Sequence, residues 1–146
     1  MKMELKPIGI IHSPYKTKEE VPIQAYLSDK VGEVEVFKKY EDGLKDIEGF
    51  SHIIIIYIFH KSKGYSLHVK PFLDDVSRGL FTTRTPNRPN PIGISVVRLL
   101  RKRGNILKIK GMDVLDCTPL IDLKPFIPRF DDREEVRIGW LEEKLR

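Results

Sequence analysis

Apolar and polar residues along this chain alternate in short runs, and the dominant period is two rather than 3.6. Val31-Gly32-Glu33-Val34-Glu35-Val36-Phe37 is the clearest case. Val31, Glu33 and Glu35 share one face with Phe37, while Val34 and Val36 line the other, as in a half-buried strand. Lys6 to His12 is a short apolar run closed by Ser13-Pro14. Ser51 to Phe59 contains four consecutive isoleucines, and β-branched side chains favour a buried strand over a helix. Ile94 to Lys102 and Asn105 to Lys110 flank Arg103-Gly104-Asn105 and predict a hairpin. Leu120 to Ile127 alternates again until Pro125 interrupts it. Helical spacing is scarce. Tyr40 to Ile47 predicts one or two turns, and Val136, Trp140, Leu141 and Leu145 predict a helical tail over about 133–146, weakened by Gly139. Pro14 to Gln24 and Lys61 to Gly79 read as surface loops. The fold expected is mainly β, an antiparallel barrel or sandwich with few short helices, formed by residues 1–146 as a single domain.

Composition narrows this little. With 146 residues, 40% hydrophobic and 32% charged, the chain has the makings of a packed core and is not globally disordered. A lone cysteine, Cys117, excludes an internal disulfide and a multi-cysteine zinc site. His12, His52, His60 and His68 have no metal-ligand spacing, so no metal is assigned. The N-terminus lacks a signal-peptide core, and the run Ile53 to Phe59 is too short to cross a bilayer. The expectation is a soluble, cytoplasmic protein.

Charge changes the picture more. Net charge is +5, but residues 60–110 hold twelve Lys/Arg against two acids, Asp74 and Asp75, leaving fourteen bases and nineteen acids elsewhere. A basic segment of that density attracts and steers polyanions.

Candidate chemistry concentrates in three places. Phe81 to Ser95 carries Pro86, Pro89 and Pro91 among Arg84, Arg88, Asn87, Asn90 and Gly93. Three prolines pre-order such a loop and remove backbone donors, leaving carbonyls free to receive a ligand's amino groups. Two arginines on it suit a carboxylate or phosphate, and Gly93 allows close approach. A binding loop is the reading this composition favours over a structural turn. Gly111 to Phe126 contains Asp116-Cys117-Thr118-Pro119, a turn between strands. Asp116 and Thr118 there either bond their own backbone or, for Asp116, accept from a ribose hydroxyl or ligand ammonium. Asp122 and Lys124 share a strand face and suit an ion pair. His60-Lys61 ends the isoleucine strand. His60 reads first as a hydrogen-bonded structural residue and second as a general base. No Rossmann fingerprint, phosphate-cradling loop or nucleophile elbow is present.

The string Arg84-Thr85-Pro86-Asn87-Arg88-Pro89-Asn90-Pro91-Ile92-Gly93-Ile94-Ser95 resembles the signature of the TsaA-like, or TrmO, family. Ile8 to Tyr15 resembles that family's N-terminal motif, Ile47 to His52 with Phe59-His60 its second block, and Asp116 to Pro125 its last. The blocks come in the family's order and cover nearly the whole chain. The resemblance implies an S-adenosylmethionine-dependent methyltransferase built on a single antiparallel β-barrel, not a Rossmann fold. It implies homodimers with the cofactor near the subunit interface, acting on N6 of threonylcarbamoyladenosine at position 37 of tRNA.

Carried over by motif, the cofactor contacts are Ser13, Pro14, Tyr15, His60, Lys61, Arg84, Ile94, Asp116, Cys117, Thr118 and Pro119. Arg88 and Asn90 of the same block either shape the pocket or contact RNA, and with Arg101, Lys102 and Arg103 of the basic segment they are the candidate contacts to the tRNA anticodon loop. Asp116, or a basic neighbour, is the candidate for assisting loss of the N6 proton. Two departures stand out. Family members usually have Gly at the position of Cys117, which implies a different or αR-compatible turn here. Many bacterial members carry a C-terminal extension, whereas this sequence ends at Arg146, a difference that bears on tRNA grip rather than on cofactor binding. Two other classes remain open: a non-catalytic RNA-binding or sensing barrel, and an S-adenosylmethionine-using enzyme with a non-RNA substrate. Cofactor turnover separates the first and RNA dependence the second.

Overall fold

A computed structural model describes residues 1–22, 28–72 and 74–145. The strands in chain order are β1 (Gly9–His12), β2 (Val31–Val36), β3 (His52–Ile58), β4 (His68–Val69), β5 (Arg78–Gly79), β6 (Ile92–Arg103), β7 (Ile106–Lys110) and β8 (Thr118–Pro125). Six of them close into a barrel in the order β1-β2-β7-β6-β3-β8, with β1 also paired to β8, and every pairing is antiparallel. Closure is what lets such short strands satisfy their backbone without leaving an open edge. Strands β4 and β5 form a separate two-stranded ribbon within the expected 61–79 loop.

The period-two patterns translate directly into walls. Val34 and Val36 of β2 point inward and are buried, as expected. Ile11, Ile53, Ile55, Tyr57, Val97, Leu99, Leu107, Ile109 and Leu120 meet them in the barrel interior. Each fully buried Ile or Leu contributes about 1.5–3 kcal/mol, so this interior is the main source of stability. At the β6–β7 hairpin, Gly104 supplies the positive φ (+57°) that a two-residue turn needs at its first central position. Asn105 then clips the hairpin to β2, its Nδ2 donating to the Val36 carbonyl at 2.8 Å. Pro125 ends β8, and the expected Lys124–Asp122 pair forms at 3.2 Å.

One helical expectation is met, in 3-10 form, and one is corrected. Tyr40 to Ile47 falls in a 3-10 helix, Lys38–Leu44, followed by a left-handed Asp46 (φ 70°) and a second turn, Ile47–Gly49. The described part of the tail, 133–145, is not one helix: among these residues only Gly139–Leu141 makes a 3-10 turn, while an α-helical turn lies earlier at Pro128–Asp131. Glu135 and Gly139 both take positive φ (57° each), and Val136 and Leu145 face solvent. The apolar spacing therefore has no core to bury against. Trp140 serves a different purpose, donating from Nε1 to the Thr82 carbonyl at 3.2 Å and stacking on Arg78. Arg78 in turn binds Asp74 at 2.6 Å, and Lys144 adds a 3.6 Å contact to the same carboxylate. Burial opposes the Asp74 charge, but Arg78 and the backbone N–H groups of Val76 and Asp75 outweigh it and hold the carboxyl at about 2. The tail thus straps the segment that leads into the proline loop. Of the loop expected from Pro14 to Gln24, Lys18–Glu20 forms one 3-10 turn, and residues 23 and 24 lie outside the described residues.

Candidate cofactor and substrate cleft

One end of the barrel opens into a cleft of about 360 Å³ bordered by Lys16, Thr17, Lys18, His60, Lys61, Lys63, Leu115 and Asp116. An adjoining recess of about 190 Å³ shares Lys18, His60, Lys61 and Leu115 and reaches Tyr57, Phe59, Pro86, Asn87, Asp113 and Thr118. Three stretches remote in sequence meet here: the turn after β1, the end of β3, and the loop before β8.

The first and third are stitched together. Ser13 N–H donates to Asp116 Oδ1 at 2.8 Å, Asp116 N–H donates to the Tyr15 carbonyl at 2.8 Å, and Ser13 Oγ donates to the Val114 carbonyl at 2.6 Å. Thr118 Oγ1 closes the turn on the Leu115 carbonyl at 2.6 Å. Tyr15 turns its ring into the core and pairs its hydroxyl with Ser28 Oγ at 2.8 Å. Lys16, which sequence reasoning passed over, sits 2.6 Å from Asp116 Oδ2. The Lys16 ammonium and the Ser13 N–H hold the Asp116 carboxyl at about 2. Asp116 is thereby a carboxylate at neutral pH, tied on one oxygen to Lys16 and on the other to the turn after β1. Cys117 is also corrected: its φ is +64°, the left-handed region. The turn keeps the geometry a glycine would adopt, and cysteine bears the strain.

His60 lines both parts of the cleft, and its Nδ1 is buried with no hydrogen-bond partner among the described residues. Burial, then the charge of Lys61, pushes its pKa below the usual imidazole value, while the Ile58 backbone works the other way. A buried Nδ1 without a partner, facing a cleft, is what a ligand's polar group would satisfy.

The proline loop contributes Pro86 and Asn87 to the recess. Its carbonyls are not left for a ligand as expected: Pro86 accepts from Ser62 Oγ, Pro91 from Phe59 N–H, and Asn90 from Ile92 N–H. Arg88 is drawn inward, donating to the Thr83 and Thr85 carbonyls at 2.9 and 3.2 Å, so it braces the loop. Arg84 is exposed and Ile94 lies on the outer barrel wall, 55% exposed; neither borders the cleft. Arg101, Lys102 and Arg103 are at the far end of β6.

Sequence reasoning also missed a buried chain. Tyr57 Oη lies 2.7 Å from Ser95 Oγ, which donates to Asp113 Oδ1 at 2.6 Å. Gly93 makes this possible, since a Cβ there would lie 2.4 Å from the Tyr57 ring. Burial, then the Asp113 charge, drives the Tyr57 phenol well above its usual value, so it stays protonated and donates. The only sequence signals were Ser95 at the end of the signature string and Asp113 three residues before Asp116.

Residues 10–132 match the family model for the tRNA-methyltransferase O N-terminal domain. The chain belongs to this family. A probable S-adenosyl-L-methionine-binding protein of Pyrococcus abyssi is 57% identical over 141 residues, covering 96% of this chain and 77% of the relative. The Escherichia coli tRNA (adenine(37)-N6)-methyltransferase is 38% identical over 136 residues, covering 86% of this chain but 58% of the relative. The crystal structure of TrmO from Pseudomonas aeruginosa superposes with a TM-score of 0.81 at 34% identity, covering 95% of this chain and 62% of that one. The chain therefore spans about three fifths of these methyltransferase relatives. The expected family and the barrel fold are both borne out.

The cleft's donor set suits S-adenosylmethionine. Lysines 16, 18, 61 and 63 can meet a carboxylate, Asp116 an ammonium or ribose hydroxyl, the orphaned His60 nitrogen a polar ring atom, and Phe59, Val114 and Leu115 an apolar purine face.

Proposed function

We propose that this protein is an S-adenosylmethionine-dependent methyltransferase acting on N6 of adenosine 37 in tRNA, with threonylcarbamoyladenosine as the modified base. The observation that carries the proposal is the convergence of Ser13, His60, Lys61, Asp116 and Thr118 around one cleft at the barrel end. The family of the chain and the names of its relatives support it. When bound, S-adenosylmethionine supplies a methyl group already activated by the sulfonium. The protein's task is then positioning, which can lower a barrier by roughly 7–11 kcal/mol. Lys16 fixes Asp116, and Asp116 with His60 and Lys61 orients the cofactor; Pro14, Cys117 and Pro119 shape the same turn. Methyl transfer to N6 would also require loss of the N6 proton to a carboxylate; Asp113, lining the recess and hydrogen-bonded by Ser95, would take it in place of Asp116, whose Oδ2 is tied to Lys16.

The protein works as a homodimer in the cytoplasm, with residues 1–146 as one unit. On the outer wall, Ile54, Ile56 and Ile58 of β3 lie beside Val96, Ile94 and Ile92 of β6. Ile92, Ile94 and Val96 are 41%, 55% and 39% exposed, an aliphatic patch of the kind partners cover. Ile94 contacts cofactor through this face, at the site of the second subunit, and Arg84 and Asn90 form the RNA-facing rim on a loop that Arg88 braces from within. No helix among the described residues is long and apolar enough to cross a membrane.

The test is incubation with labelled S-adenosylmethionine and two tRNA pools, one carrying threonylcarbamoyladenosine and one lacking it. Label is expected only in the modified pool. Tight cofactor binding with no label in either pool would remove the reaction, and RNA-independent labelling would point to another substrate class.

A further inference from the structure

Beyond the cleft, the outer face of β6 changes character along its length. Between Ile92 and Val96 it is aliphatic; from Arg98 onward it is basic. Strict alternation places Arg98 outward, Leu99 inward, Leu100 outward and Arg101 inward. The pairing with β7 breaks that alternation: Arg98 faces Lys110, Leu99 faces Ile109, and Arg101, not Leu100, faces Lys108. Leu100 is thus the extra residue of a β-bulge. Because Leu107 and Ile109 are fully buried, Lys108 and Lys110 point outward, and the bulge brings Arg101 out beside Lys108. A bulge is a common device for re-aiming one side chain.

The result is two like-charged cross-strand pairs, Arg98/Lys110 and Arg101/Lys108, stacked on one wall. Direct cross-strand neighbours of like charge destabilise a sheet. Relief from a carboxylate is missing: among the described residues none of the four makes an ion pair, although Glu33 is the register neighbour of Lys108 on β2. An arrangement that repels itself and is built by a bulge makes sense as half of an interface whose other half is a row of regularly spaced negative charges.

We propose that Arg98, Arg101, Lys108 and Lys110 form a ledge that holds the phosphate backbone of the tRNA stem, away from the nucleotide in the cleft. The proposal rests on tRNA being the substrate and adds a second point of contact. Arg98 and Arg101 lie five and eight residues along β6 from Gly93, which packs beside the recess. That is roughly 17–27 Å of strand, far enough that one side chain set cannot serve both places. Arg103 flanks the ledge beyond the bulge; Lys102 faces the barrel end opposite Leu107 and is not part of it.

The experiment is equilibrium binding of a tRNA transcript over a range of salt concentrations. It compares wild type, the quadruple variant Arg98→Ala/Arg101→Ala/Lys108→Ala/Lys110→Ala, and a control of equal charge, Lys2→Ala/Lys6→Ala/Lys38→Ala/Lys45→Ala. Thermal melts and S-adenosylmethionine binding check that each variant is folded. Each lost phosphate contact lowers the salt slope by about one. The ledge variant is expected to bind about 10- to 100-fold more weakly, with a slope smaller by about 2–4, while the control keeps the wild-type slope. Equal slopes in all three proteins, or equal losses in both variants, would overturn the ledge. So would ledge-dependent binding to phosphatidylserine vesicles with tRNA binding intact. Methyl transfer is measured separately: wild type that binds tRNA through the ledge but transfers no methyl leaves the ledge standing without the reaction.

Discussion

The two faces of β6 make an instructive pair. Inward, Gly93, Ser95, Val97 and Leu99 follow one another with period two and are all buried. Outward, Ile92, Ile94 and Val96 give way to Arg98 and Arg101. The inward series answers to a single demand, filling a barrel of fixed width. The outward series answers to none that the barrel itself makes, since β6 would pair equally well with polar residues there. Chemistry on the outer face is therefore free to answer to what the wall meets, and under the two proposals above that is a second aliphatic surface in one half and phosphates in the other.

That contrast can be broken most severely at Val97. Val97→Asp would bury an unpaired carboxylate and is expected to cost roughly 4 kcal/mol or more, abolishing a cooperative melt. Val96→Asp, one residue away and outward, is expected to shift stability by less than about 1 kcal/mol. Equal effects in thermal melts would show that the strand's two faces are not distinct.

At the cleft end, the two carboxylates can be separated in the same way. Asp113→Asn is expected to lower kcat by about 10²–10⁴ with cofactor affinity nearly unchanged. Asp116→Asn is expected to weaken cofactor binding while sparing kcat at saturation. The reverse pattern would return the base to Asp116.

Along the outer wall, Ile94→Glu is expected to convert dimer to monomer in sedimentation and to weaken cofactor binding with it, with the barrel still folded. A monomeric wild type would remove that half of the comparison.

The pH dependence sharpens the Asp116 assignment. Its carboxyl is held at about 2 in the folded protein against 3.8 for the ordinary group. A depressed pKa contributes stability that is present above the unfolded value and lost as pH falls through the folded one. Asp116→Asn is expected to flatten the fall in stability between about pH 4 and 2, read by denaturant titration. The smallest effect expected is at Cys117, whose φ of +64° strains a side chain. Cys117→Gly is expected to stabilise by about 0.5–1 kcal/mol, a rise of a few degrees in Tm.

Much of the fold was legible because strand faces obey a local rule. Val34 and Val36 lie inside because period-two alternation in a half-buried strand leaves them no other face, whereas in the run Ile53 to Ile56 only the closing of the barrel chose Ile53 and Ile55 for the interior. The tail failed that logic: Val136, Trp140 and Leu145 have helical spacing, but a short amphipathic helix needs a surface to bury against. Trp140 found Thr82 and Arg78, contacts with partners some sixty residues earlier.

By itself, then, the sequence determined the class of the fold, the inward and outward faces of its alternating strands and, through the proline and arginine string, the family. Those follow from side-chain alternation and from motifs contiguous in the chain. Only the tertiary structure decided which carboxylate is tied to Lys16 and which to Ser95, because those bonds span about a hundred and eighteen residues respectively. It also decided that Arg88 braces a loop and that a bulge turns Arg101 outward beside Lys108. Register slips and long-range hydrogen bonds depend on which strands become neighbours when the barrel closes, and no local period in the chain encodes that.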